Sequence, residues 1–153
     1  MPALSDAFAG AVILQTQLQA AMDVHTAASV FPEKIHVVLQ KTAEPTIALD
    51  TVPKIVLQLR DDSMAPEWPY GVRHAVFDAR CEVSDFNGSL VGLQVTMAQK
   101  LAQFMTDYDN YAALRDAGLF ANAIGNGQEG TDTRAGRKIY RITHRIEWHY
   151  QTV

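Results

Sequence analysis

Two stretches of strict alternation constrain this chain more than anything else in it. From Arg73 to Val83, Ala75, Phe77, Ala79, Cys81 and Val83 fall on one side, and His74, Asp78, Arg80 and Glu82 on the other. From Ile139 to Tyr150, Tyr140, Ile142, His144, Ile146, Trp148 and Tyr150 share one face, and Arg141, Thr143, Arg145, Glu147 and His149 the opposite one. A period of two marks a strand with one face on a core and one toward water or a neighbour. Each needs an apolar layer to cover it.

Helices provide that layer. Ser5 precedes Asp6 and a run to Met22 in which Ala7, Ala11, Leu14, Leu18 and Ala21 recur at helical spacing while Gln15, Gln17 and Gln19 face elsewhere, which predicts an amphipathic helix capped at Ser5. After the turn signal Asn87-Gly88, Ser89 is the expected cap of a second long helix carrying Leu90, Leu93, Met97, Leu101, Phe104 and Tyr108. A short third helix is expected from Asn110 to Ala117, ended by Gly118. Lys34 to Lys41 reads as the first strand. The segment after Pro53 reads as a half-buried second strand, with Ile55, Leu57 and Leu59 on one face. Leu119 to Ile124 is short enough for a further strand.

The expected architecture is one α+β domain over residues 1–153, a mainly antiparallel sheet of about four strands with two long helices on one face. Long loops are expected at about 42–52, 61–71 and 125–137. The 61–71 loop carries Trp68 and Tyr70, either packed on the body or kept for a partner; the third, glycine-rich, reads as a flexible excursion without an apolar anchor. With 153 residues and 48% hydrophobic content, a chain this size buries roughly 68–70% of its unfolded surface, enough for a core without disulfides or metal. Its apolar runs, Ala9 to Leu14 and Lys54 to Leu59, fall short of the ~20 residues that span a bilayer, and Asp6 with no early Lys or Arg is no signal-peptide start. No membrane association is therefore expected.

Chemistry-bearing patterns fail on context. Gly125-Asn126-Gly127-Gln128-Glu129-Gly130 matches G-x-G-x-x-G, yet no helical pattern follows it to receive a pyrophosphate. His144 and His149 point to opposite strand faces, and His36 and His74 lie on different strands without an acidic or cysteine companion at ligand spacing. Asp78 and Glu82 share a face but stand ~13 Å apart at ~3.3 Å per residue, too far for the roughly 5–9.5 Å of a glycosidase pair. Asp61 and Asp62 are adjacent in a loop and could meet a divalent cation, although such residues are usually only solvated. Cys81 is assigned to the apolar face, where a thiol is inert packing. Ser63 and Ser89 have no visible base. No catalytic residue, cofactor or metal is expected. The net charge of −4 argues against a dedicated nucleic-acid binder. Arg134, Arg137, Lys138, Arg141 and Arg145 concentrate positive charge near the end, which suits a mixed-charge subunit interface as well as a phosphate contact; no sequence-specific nucleic-acid partner is expected.

Three stretches carry a likeness to a known family: the alanine-rich N-terminal helix; Pro53 to Leu57 leading through a variable loop into RHAVFDARCEVSDF; and the ending GRKIYRITHRIEWHYQTV after a glycine-rich loop. In pattern, size and order the chain resembles the tail-terminator and tail-completion proteins of long-tailed bacteriophages and related phage-like particles. The resemblance implies a virion protein without catalytic residues, assembled in the host cytoplasm. It would form a closed homo-oligomeric ring, usually a hexamer, that caps the tail tube, ends its polymerisation and joins it to a neck or head-completion protein. Another neck or tail-tube component, or a small ligand-binding or enzymatic domain, is the alternative. If the chain assembles so, the outward residues Asp78, Arg80, Glu82, Arg141, Arg145 and Glu147 are the expected subunit contacts. Trp68, Tyr70, Gly127 and Arg134 are the expected partner contacts in the loops.

Overall fold

A computed structural model describes residues 2–40, 53–84, 90–134 and 136–153. Among these the fold is α+β, with three helices and a six-stranded mixed sheet. The strands are β1 (His36–Gln40), β2 (Lys54–Met64), β3 (Val72–Ser84), β4 (Phe120–Ile124), β5 (Gln128–Arg134) and β6 (Arg137–Gln151). They run in the order β1-β2-β3-β6-β4, and β5 also pairs with β6. Every pairing is antiparallel except β1 with β2. The expected four-stranded, mainly antiparallel sheet is thus corrected on strand number and on the parallel edge pair. A parallel neighbour needs a long connection. The stretch between Gln40 and Lys54 has that length, and the loop expected at 42–52 lies outside the described residues.

The two alternating strands pair over their whole length, with Ala75 opposite Trp148, Phe77 opposite Ile146 and Cys81 opposite Ile142. Their apolar faces form one core with Ile55 and Leu57 of β2, and the Phe77 and Trp148 rings stack 4.8 Å apart. Onto this face pack α1 (Ala7–Ala27), through Leu14, Leu18 and Met22, and α2 (Leu93–Thr106), through Met97, Leu101 and Phe104. Asp6, not Ser5, caps α1, its carboxylate accepting the Ala9 N–H at 2.8 Å. Gly10 lets α1 come close, since a Cβ there would lie 2.8 Å from Leu119 and 3.0 Å from the Trp148 indole nitrogen.

Gly92, at φ +103°, is the N-cap of α2; Ser89 lies outside the described residues. The second helix is also shorter than its periodicity suggests. Asp107 stops it and caps α3 (Tyr108–Asp116) by accepting the Asn110 N–H, so Tyr108 leaves the core stripe and is exposed.

Two expected loops are largely strand. Asp61 to Met64 prolong β2 beyond a register shift at Leu59/Asp61, leaving only the tight connection that holds Trp68 and Tyr70. Gln128 to Arg134 form β5, paired with β6 from Thr143 to Arg137. The glycine-rich stretch is therefore the bend at which an edge strand passes from β4 to β5. Its anchor is backbone: the Gly125 N–H donates to the Arg145 carbonyl at 2.8 Å, and the His144 Nδ1–H donates to the Gly125 carbonyl at 2.8 Å.

The sheet's two edges differ. At β1 the helix seals the backbone, because Gln19 accepts the Val37 N–H at 2.8 Å and donates to the Ile35 carbonyl at 2.9 Å, and Gln15 donates to the Val37 carbonyl. Those glutamines face the strand edge and imitate a neighbouring strand. Along β5, no strand pairs with the outer edge among the described residues.

Candidate functional site

The helix-free face of the sheet gathers the chain's charge. Alternation sends Asp78, Arg80 and Glu82 of β3 and Arg141, Arg145 and Glu147 of β6 to this side, and the ladder sets Glu82 opposite Arg141 and Asp78 opposite Arg145. Arg134 joins them from β5. The six outward residues therefore share one face, but Asp78 and Glu82 pair sideways with the flanking strands. Asp78 pairs with Arg60 of β2 at 3.3 Å, and Glu82 with Arg134 at 2.6 Å.

The β5 end of this face is closed over. Glu82 is fully buried, and Arg134 grips it with both guanidinium nitrogens while its Nε holds Asp132 at 3.0 Å. Lys54 stands opposite Glu82 in the ladder and is also buried, and Val56 is buried beside it. The first half of β2 is thus covered on both faces, not half-buried. Burial draws the Arg134 pKa down, but the bonds to Glu82 and Asp132 outweigh it and leave it raised. The Arg134 hydrogen bond holds Asp132 below its ordinary value.

Next to this cluster is a polar cleft of about 430 Å³, lined among others by Gln40, Gln58, Asp78, Arg80, Arg141 and Thr143. Arg80 donates from Nη1 to the Gln58 side-chain oxygen and from Nη2 to that of Gln40, the latter at 3.0 Å. Its Nε is buried without an acceptor. Burial lowers the Arg80 pKa.

At the other end the face is aromatic and titratable. His74 Nε2 lies 3.2 Å from the Glu147 carboxylate, and the His74 and His149 rings stack 4.6 Å apart. Trp68 packs on Phe120 at 5.1 Å and on His149 at 5.2 Å between ring centres. Trp68, His74, Glu147 and His149, with Met64 to Glu67, border a cleft of about 340 Å³. Burial first, and then the neighbouring His74, lower the His149 pKa. Trp68 packs on the body of the fold yet stays 41% exposed, and Tyr70 at the connection's tip is 94% exposed. Gly127 lies over the opposite, helix-covered side, with room for a hydrogen only: a Cβ would sit 2.9 Å from Ile142 and 3.1 Å from the His144 ring.

Other candidates find structural partners. Asp61 and Asp62, adjacent in a strand, face opposite sides, and Asp62 accepts the Tyr150 hydroxyl at 2.9 Å and Arg73 Nε at 3.0 Å. Burial, with Asp62, pushes the Tyr150 pKa up to about 12. Burial also pushes the Cys81 thiol up, keeping it protonated. The G-x-G-x-x-G letters cross the β4–β5 bend, and the segment that follows is strand, not helix. Among the described residues no cluster of three or more His, Cys, Asp or Glu side chains is placed to hold a metal, and no helix is long and apolar enough to cross a membrane.

Sequence reasoning missed the His74–His149 stack and the part of Gln40 and Gln58. The alternation already set both histidines on the outer face, but only the register brings them opposite each other. Comparison with protein-family models and with curated proteins found no match to this chain.

Proposed function

We propose that this chain is a structural ring subunit of the tail-terminator type, one that caps a phage tail tube, ends its polymerisation and joins the tail to the neck. The resemblance of its helix, paired strands and terminal strand motivates the virion role, the hexameric number and the tube and neck partners. The observation that most supports ring formation is the asymmetry of the sheet edges. A subunit with a helix-sealed edge at β1 and, among the described residues, an unpaired one at β5 is polar across its sheet. Head-to-tail association needs such polarity, and it closes into a ring when the rotation per subunit permits. An unpaired edge also invites pairing with another chain. Arg145, exposed on the open face of β6 opposite Asp78, and Tyr70 at the hairpin tip suit the subunit and partner contacts.

Light scattering coupled to size exclusion, with negative-stain imaging of the full chain, is the test. Annular particles of fixed stoichiometry, weakened by Arg145→Glu, are expected. A monomer at every concentration, with or without a tail-tube protein, would overturn the reading.

A further inference from the structure

Among the described residues the Arg80 guanidinium forms no direct ion pair, although Glu82 and Asp78 act on it through space. Its two hydrogen-bond acceptors are the neutral amides of Gln58 and Gln40. The carboxylates near it are engaged: Glu82 by both nitrogens of Arg134, Asp78 by Arg60, Asp132 by Arg134 with Arg141 at 3.8 Å. No ion pair of Arg80 occurs among the described residues. An arginine has five N–H donors, and only two are bonded here. Nε is sealed from water, so the edge that faces the 430 Å³ cleft is where compensation must come from. An incompletely paired, half-buried charge is costly. Arg141, Gln128 and Thr143, the last beside Arg80 in the ladder, also line the cleft and can donate.

We propose that this cleft binds a small oxyanion, a carboxylate or phosphate group, held by the unbonded N–H groups of Arg80 together with Arg141, which also lines it. The site lies within one subunit and goes beyond the ring reading, so it stands or falls independently of assembly. Guanidinium donors match the two oxygens of such a group. The cleft's volume admits a ligand of a few heavy atoms and excludes none of the described fold. Asp78, Glu129 and Asp132, which also line the cleft, disfavour a highly charged polyanion and so select small ligands.

Thermal unfolding of the full chain with glutarate or inorganic phosphate, against chloride at matched ionic strength, tests this. At about ten times Kd a saturable rise of about 3–6 °C is expected. A larger response to glutarate assigns the carboxylate class, and a larger response to phosphate the phosphate class. Arg80→Met keeps the stem's volume and removes the incompletely paired charge; it is expected to unfold no lower than the parent without ligand, and to lose the saturable rise. Absence of a saturable rise with both probes, or an equal rise in Arg80→Met, would overturn the site. If that variant does not fold, the ¹⁵N-resolved Arg80 Nε–H resonance of the parent decides: a shift that saturates with the probe supports the site, and an unmoved resonance refutes it.

Discussion

The two ends of the open sheet face are made by the same strands, β3 and β6, with the same alternation of charged and polar residues, yet they sit in different environments. At one end Glu82 is fully buried and clasped by Arg134. At the other, His74 and Glu147 remain partly in water, and Trp68 and Phe120 lean on His149. What separates them is the strand on the far side of β6. Along residues 137–143 that neighbour is β5, which brings Arg134 and Asp132 to the open face, and along 146–149 it is β4, which brings Phe120. An outward position is thus solvated, buried or aromatic according to the strand paired two ladders away, and each case has a different electrostatic consequence. A buried pair is costly to break and insensitive to pH near neutrality, whereas a half-buried histidine stack is cheap to alter and sensitive to it.

The largest effect that would sharpen this contrast comes from Glu82→Ala, which leaves the Arg134 charge without its main partner. A loss of about 3–5 kcal/mol in chemical denaturation is expected. A loss under about 1 kcal/mol, the range of exposed pairs, would break the contrast.

A smaller effect comes from the bend between the two neighbours. Gly127→Ala adds a Cβ 2.9 Å from Ile142 and 3.1 Å from the His144 ring, both in packed positions. The cost expected from forcing them apart is about 1–3 kcal/mol. Unfolding midpoints measure it, and an unchanged midpoint would show that the bend relaxes freely.

The smallest effect belongs to the histidine end. His149 has a folded pKa lowered by burial and by His74, so folding favours its neutral form. That contribution is complete above the unfolded value near 6.5 and is lost as pH falls below it. His25, whose pKa is likewise lowered by burial and then by Lys100, acts in the same direction. Urea midpoints are expected to fall between pH 7 and pH 5, and less so in His149→Phe, which keeps the stacking and removes the proton site. An identical pH dependence in both proteins would assign the loss elsewhere.

Much of the fold is legible in the residue order. The inward sets of β3 and β6, the stripe of α1 and the stop at Gly118 all follow from local periodicity and local turn chemistry. What misled were segments whose structure depends on distant partners. Gln128 to Arg134 contains one glycine and no apolar residue, so nothing within it signals a strand; it is one because β6 offers a free ladder edge. Asp61 to Met64 likewise read as loop and are held by Arg73, Ala75 and Tyr150. The candidate residues were found as one face, because alternation alone distributes them. Their pairing was not: Glu82 and Arg134 are far apart in sequence, and no short-range signal announces a contact of that separation.

By itself, then, the sequence determined which side of each strand is apolar, where the helices run, and that the chain is large enough for one core. Those properties depend on a side-chain period of two or of 3.6, and a period is local. The tertiary structure alone decided the strand neighbours and register, and with them the burial of Glu82, the bonding of Arg80 to two glutamine amides, and the opposition of His74 and His149. Desolvation and ion pairing act through space over a few ångströms, and only the folded sheet sets which distant residues come that close.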